Sequence, residues 1–219
     1  MKQIALAFIA ALFLLSTPSA KADEGMWLPM FVKRLNYVDM QKQGLQLTPE
    51  EIYSVNNSSL KDAIVRLGGG FCTGEIISDQ GLMLTNHHCG FSVIQENSTK
   101  ENNYLRDGFW AMNNEEEIPA GFSVSFLVKM EDVTKDILPL LGVELTEGQR
   151  AAKADSLIKA IEETASTDND YDVQIKSFYN GNEYYMFIYE TFGDVRFVGA
   201  PPSSIGKYGG DTDNWMWPR

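Results

Sequence analysis

Both histidines of this 219-residue chain are adjacent, and one of its two cysteines follows them directly, in Leu84-Thr85-Asn86-His87-His88-Cys89-Gly90. The other thiol lies upstream, in Phe71-Cys72-Thr73-Gly74. Between them, Ser78-Asp79-Gln80-Gly81 has the composition of a turn and Leu82-Met83-Leu84-Thr85 that of a strand, so the segment reads as strand, polar turn, strand: a hairpin. All imidazole chemistry is therefore confined to one dipeptide where the second strand ends. A Cys72–Cys89 bridge would tie that end back to the first strand and leave little freedom in how the chain folds there.

The chain's start decides whether such a bridge is expected. Met1-Lys2-Gln3, an apolar run over residues 4–15 and Ala20-Lys21-Ala22 before Asp23-Glu24 together make a secretory signal peptide, with cleavage expected after Ala22. The run is too short to span a bilayer, which takes about 20 residues. Residues 23–219 are thus expected in the periplasm, at the cell surface or secreted, without membrane insertion. In an oxidising compartment the two cysteines are expected to pair, which would contribute about 3 kcal/mol in the chain-entropy picture. Zinc is not expected, because two cysteines and two adjacent histidines lack tetrahedral ligand spacing; nor is any cofactor.

Losing the leader removes Lys2 and Lys21 and takes the net charge from −12 to −14. A chain this acidic without clustered Lys and Arg is not a nucleic-acid binder, and it is poorly suited to anionic membranes.

Along the chain, apolar residues at helical spacing (Phe31, Leu35, Val38) precede Thr48-Pro49-Glu50-Glu51, a helix start with a capping threonine and proline at the first position. Asn57-Ser58-Ser59 is expected to open another short helix. Strands are expected from Ile64, across the hairpin, over 124–128, 173–179, 184–189 and 194–198. A helix is expected over 146–165, its charges forming a solvated face. Residues 95–114 read as partly helical, and 133–141 fit neither pattern cleanly. Asn180-Gly181 is a hairpin turn signal. Residues 199–219 are dense in turn formers and aromatics, the composition of a functional loop.

A strand carrying a cysteine, a hairpin, and a second strand ending in a histidine pinned by a disulfide is how a chymotrypsin-like serine protease presents its general base. That base must be held to a fraction of an ångström, and the neighbouring disulfide selects His88 over His87. From the residues alone, both imidazoles could instead cap a strand end. A nucleophile is not visible: no serine stands in a Gly-x-Ser-x-Gly setting, and Ser78, Ser203 and Ser204 read as turn residues. Asp211 and Asp213 are either acids that orient His88 or ordinary turn formers.

Further segments carry a family resemblance: Gly-Gly-Gly-Phe-Cys-Thr-Gly (68–74), Ser-Asp-Gln-Gly-Leu-Met-Leu-Thr-Asn-His-His-Cys-Gly (78–90), Tyr-Leu-Arg-Asp-Gly-Phe-Trp-Ala (104–111) and Gly-Gly-Asp-Thr-Asp-Asn-Trp-Met-Trp-Pro-Arg (209–219). With the start Asp23-Glu24-Gly25-Met26-Trp27-Leu28, the chain resembles the bacterial dipeptidyl peptidases 7 and 11 from Asp23 to Arg219. The resemblance implies a mainly β fold with helical additions, a chymotrypsin-like double β-barrel with a helical domain inserted between the barrels. It implies an exported serine exopeptidase that removes dipeptides from the free N-terminus of oligopeptides, the full-length enzyme being a homodimer.

His88 is then the base. Asn214 and Trp215 would hold the substrate's α-amino group, an Asn carbonyl and an aromatic face being suited to an ammonium. Trp217 is read as structural. By the same resemblance the triad aspartate would lie just past Arg219 and the serine far beyond, so residues 23–219 read as the N-terminal part of the peptidase domain, inactive alone. Two other readings are a non-catalytic exported module that binds peptide N-termini and a trypsin-like endopeptidase, which the amine-anchoring loop disfavours.

Overall fold

A computed structural model describes residues 27–142, 145–167 and 171–207. The expected leader, Asp211, Asp213, Asn214, Trp215 and Trp217 lie outside the described residues. The helical spacing before Thr48 becomes two short helices, α1 (Val32–Leu35) and α2 (Tyr37–Lys42). Its apolar stripe is not buried as a stripe: Leu35 and Val38 are exposed, whereas Leu28, Met30 and Phe31 pack against Met130 and Tyr185. Thr48 caps α3 (Pro49–Ile52) in a complete capping box, its hydroxyl accepting from the Glu51 N–H while the Glu51 carboxylate accepts from the Thr48 N–H. Ser59 and Asp62 form a second box, on a 3₁₀ turn over Leu60–Ala63.

The sheet begins with β1 (Ile64–Leu67), which alternates so that Val65 and Leu67 are buried. The hairpin follows as β2 (Cys72–Ile76) and β3 (Met83–Thr85), and then comes α4 (His87–Glu96). Residues 95–114 resolve into α5 (Tyr104–Asp107) and the short β4 (Phe109–Trp110). After β5 (Ile118–Pro119) comes β6 (Val124–Asp132), nine residues long and bulged between Leu127 and Lys129.

The ambiguous segment is helix α6 (Thr134–Leu141) despite Pro139. It buries Ile137 and Leu141 fully, against Ala154, Ile175 and Tyr184, and that burial outweighs the hydrogen bond that proline removes. Next come α7 (Glu147–Thr167), β7 (Asp172–Phe178) and β8 (Glu183–Phe192), then β9 (Arg196–Phe197), β10 (Gly199–Ala200) and α8 (Ser203–Gly206). Not all of α7's charge is solvated, because the Glu162 carboxylate accepts from the Ile175 N–H of β7 at 2.6 Å. The β7–β8 turn places Tyr179, Asn180 and Gly181 at positive φ, as the Asn-Gly signal predicts.

The strands form one six-stranded antiparallel sheet, ordered β3-β2-β1-β6-β8-β7, and two short ladders, β10-β4 and β5-β9. The architecture is thus mixed: antiparallel sheet with substantial helices. Among the described residues no ladder joins β3 to β7, and no helix is long and apolar enough to cross a membrane.

Candidate active site

The site is set by how tightly β3 lies on β2. Gly74 pairs with Thr85, Glu75 with Leu84 and Ile76 with Met83. A Cβ on Gly74 would stand 2.7 Å from Met83 Sδ and 2.9 Å from the Leu84 carbonyl oxygen, so only glycine allows this approach. The Thr85 hydroxyl donates to the Thr73 carbonyl at 2.7 Å and fastens the end of β3 beside Cys72. The next residue, Asn86, is the extended N-cap of α4, and His87 and His88 form its first turn. The histidines therefore open a helix, where a strand end was expected. The reason is local: the Asn86 carbonyl accepts from the Cys89 N–H at 3.0 Å, and that turn lets Cys89 sink into the core with Val65, Leu67 and Val124.

Cys72 and Cys89 form the expected disulfide, with Cα atoms 6.0 Å apart. His88 sits directly over it: an imidazole nitrogen and both sulfurs lie within 4.8 Å of one another. Cys89 is buried and His88 exposed, so the bridge anchors the helix start from below while the imidazole faces outward.

His87 points elsewhere. Its Nε2 lies 3.4 Å from Ser203 Oγ, its ring meets Phe91 edge-on with centroids 6.1 Å apart, and a Cβ on Gly206 would stand 2.3 Å from its Nδ1. Ser203 and Ser204 are thus in a short helix, not a turn, and Ser203 touches His87, not the candidate base. Lys207 extends this packing, its ammonium lying 5.1 Å from the centroid of the Phe91 ring.

Two segments far apart in the chain are brought together beside His87. β4 pairs with β10, Gly199 opposite Trp110 and Ala200 opposite Phe109. Gly108 approaches the Ala200 oxygen and the Pro202 ring closely enough that a Cβ would stand 3.0 Å from each. Tyr104, Phe109 and Phe197 pack as tilted ring pairs with centroids 4.8 and 5.0 Å apart. Sequence reasoning missed this junction; Gly108 next to Phe109, and Gly199 two residues after Phe197, were the available signal. A broad groove runs from the junction to the hairpin, lined by His87, Leu84, Trp110, Phe192, Pro201 and Gly206 among others.

Residues 22–219 match the family Peptidase S46. The chain is 49% identical over 220 residues to Dipeptidyl-peptidase 7 of Capnocytophaga gingivalis, covering 100% of this chain and 31% of that protein. It is 46% identical to an Asp/Glu-specific dipeptidyl-peptidase of the same organism, covering 97% of this chain and 30% of that one. The crystal structure of Porphyromonas endodontalis DPP11 in complex with the dipeptide Arg-Asp superposes with a TM-score of 0.78 at 45% identity, over 90% of this chain and 29% of that one. The chain thus spans about 30% of the length of the curated relatives it matches.

Proposed function

The chain belongs to the peptidase S46 family, and from that premise we propose that it is the N-terminal part of an exported serine dipeptidyl aminopeptidase with His88 as general base. The observation that carries this reading is the placement of His88. It stands in the first turn of a helix that is anchored on one side by the β2–β3 ladder and on the other by the disulfide. A base so held can take a proton from a serine hydroxyl and return it to the leaving amine without reorienting.

In this reading residues 1–22 are removed on export, and the six-stranded sheet contributes to the first of two chymotrypsin-like barrels. Asn214 and Trp215 bind the substrate's α-ammonium. Anchoring that amine at a set distance from the nucleophile limits cleavage to dipeptide release. The orienting aspartate and the serine belong to the part of the family's length that lies beyond Arg219, and the whole protein acts as a homodimer. Of two relatives of similar identity, one is named for Asp/Glu specificity and the other carries no specificity in its name; in this reading the preference for the second substrate side chain rests outside this segment.

The test is dipeptide release by the complete product of the gene, from peptides with free and with acetylated N-termini. Only the free peptides should be cut, and His88→Ala should abolish turnover while the far-UV circular dichroism is unchanged. Retained activity in His88→Ala overturns the assignment. A second reading, with His87 as base and Ser203 as nucleophile, has their 3.4 Å approach and the groove beside His87 in its favour. Loss of turnover in Ser203→Ala but not in His88→Ala would select it.

A further inference from the structure

We propose that reducing the Cys72–Cys89 disulfide converts this site into a zinc site, with Cys72, Cys89 and His88 as ligands. Among the described residues this trio places three metal-ligating side chains around one point, each donor atom within 4.8 Å of the others. Zinc binds thiolate at about 2.3 Å and imidazole at about 2.0 Å, so tetrahedral donors stand roughly 3.5–3.8 Å apart. With the bridge intact the sulfurs are bonded to each other and neither can ligate. Once it opens, Cα atoms 6.0 Å apart allow the sulfurs to move to zinc-ligand spacing by side-chain rotation alone.

Contacts other than the bridge also hold these positions. Cys72 stays in register opposite Leu67 in β1, and the Thr85 hydroxyl still binds the Thr73 carbonyl. Cys89 stays in the core with Val65, Leu67 and Val124, its N–H bonded to the Asn86 carbonyl. His88 is exposed, so zinc can reach the site from solvent. The fourth position stays open to water, as in catalytic Cys₂His sites. The sequence argued against zinc from linear spacing, but folding gathers the ligands where spacing does not.

The chemistry balances with a dithiol as reductant. Its thiolate attacks one sulfur of the bridge, and its second thiol resolves the mixed disulfide, so the reductant leaves as a cyclic disulfide and two electrons and two protons pass to Cys72 and Cys89. Zinc then displaces both thiol protons and takes the lone pair of the neutral His88 imidazole. If the functional reading above holds, that is the lone pair the base needs, so zinc would switch the enzyme off until a disulfide oxidant takes two electrons from the two thiolates, leaves as its dithiol, and re-forms the bridge with release of zinc. The metal site itself does not depend on that reading.

The test uses cobalt(II) as a spectroscopic stand-in, titrated into the chain after reduction with dithiothreitol and anaerobic removal of the reductant. One equivalent should bind, with thiolate-to-metal charge-transfer bands and the intense visible bands of a four-coordinate ion, and zinc should displace it. The oxidised chain should show none of this. In reduced His88→Ala the affinity should fall at least tenfold. Three results would each overturn the proposal: no saturation at one equivalent, unchanged affinity in His88→Ala, or affinity no greater than that of the reduced chain unfolded in urea.

Discussion

Replacing Gly74 by alanine is the sharpest probe of the hairpin that carries the histidines. Gly74 is buried in β2 and is not among the residues at positive φ, so alanine meets no backbone penalty there. By restricting the unfolded chain it would by itself stabilise by about 0.4–1 kcal/mol. Against that, its methyl would stand 2.7 Å from Met83 Sδ and 2.9 Å from the Leu84 carbonyl oxygen. The thioether can swing away, but the carbonyl belongs to the paired strand and can retreat only if β3 moves. Overpacking of this kind costs about 1–3 kcal/mol, so the midpoints of the two ranges leave a net destabilisation of about 1.3 kcal/mol.

Urea unfolding monitored by far-UV circular dichroism should show the midpoint falling at an unchanged slope. In a Met83→Ala background the cost should shrink but persist, since the Leu84 oxygen remains. On the proposed reading of His88 as general base, a shifted β3 displaces it and should lower kcat of the complete gene product by up to about a hundredfold, the scale on which misplacement of a catalytic group acts. A Gly74→Ala chain as stable as the parent, or a cost that vanishes entirely with Met83→Ala, would refute the reasoning.

Ile137→Ala should destabilise by about 2–5 kcal/mol in the same unfolding assay, because Ile137 is wholly buried between α6, α7 and β8. Tyr53→Phe removes the hydroxyl that accepts from the Met130 N–H at 3.0 Å. It should cost about 1–3 kcal/mol by stranding a half-buried donor. The Asp132 carboxylate is held below its ordinary range by hydrogen bonds from the Thr134 hydroxyl and N–H. Its contribution is therefore present above the ordinary carboxylate pKa and lost as pH falls through the lowered folded value. Stability measured against pH should accordingly lose part of its acid limb in Asp132→Ala.

Local signals carried much of the secondary structure, because they act between residues a few positions apart. The Thr48 and Ser59 caps, the hairpin from Cys72 to Thr85 and the Asn-Gly turn each close their own hydrogen bonds within a handful of residues. The histidine pair beside a cysteine was equally legible, since two histidines and two cysteines leave few arrangements. Where local signals conflicted, burial decided. α6 carries a proline yet is helical because Ile137 and Leu141 find a core to fill, whereas of the Phe31–Leu35–Val38 stripe only Phe31 finds one, and Leu35 and Val38 stay exposed.

By itself, then, the sequence determined the family, the hairpin and the dipeptide in which any histidine chemistry must occur, all properties of short contiguous segments. Only the tertiary structure decided what each histidine faces. One residue of helix, about 100° of rotation, separates their directions, so His88 stands over the disulfide while His87 is packed against Ser203, Phe91 and Gly206. It also decided that residues 104–111 and 199–206 meet beside His87, through glycines whose missing side chains leave room for Trp110 and Pro202. Contacts between segments about ninety residues apart leave no periodic trace in either one, because each is set by the shape of the other.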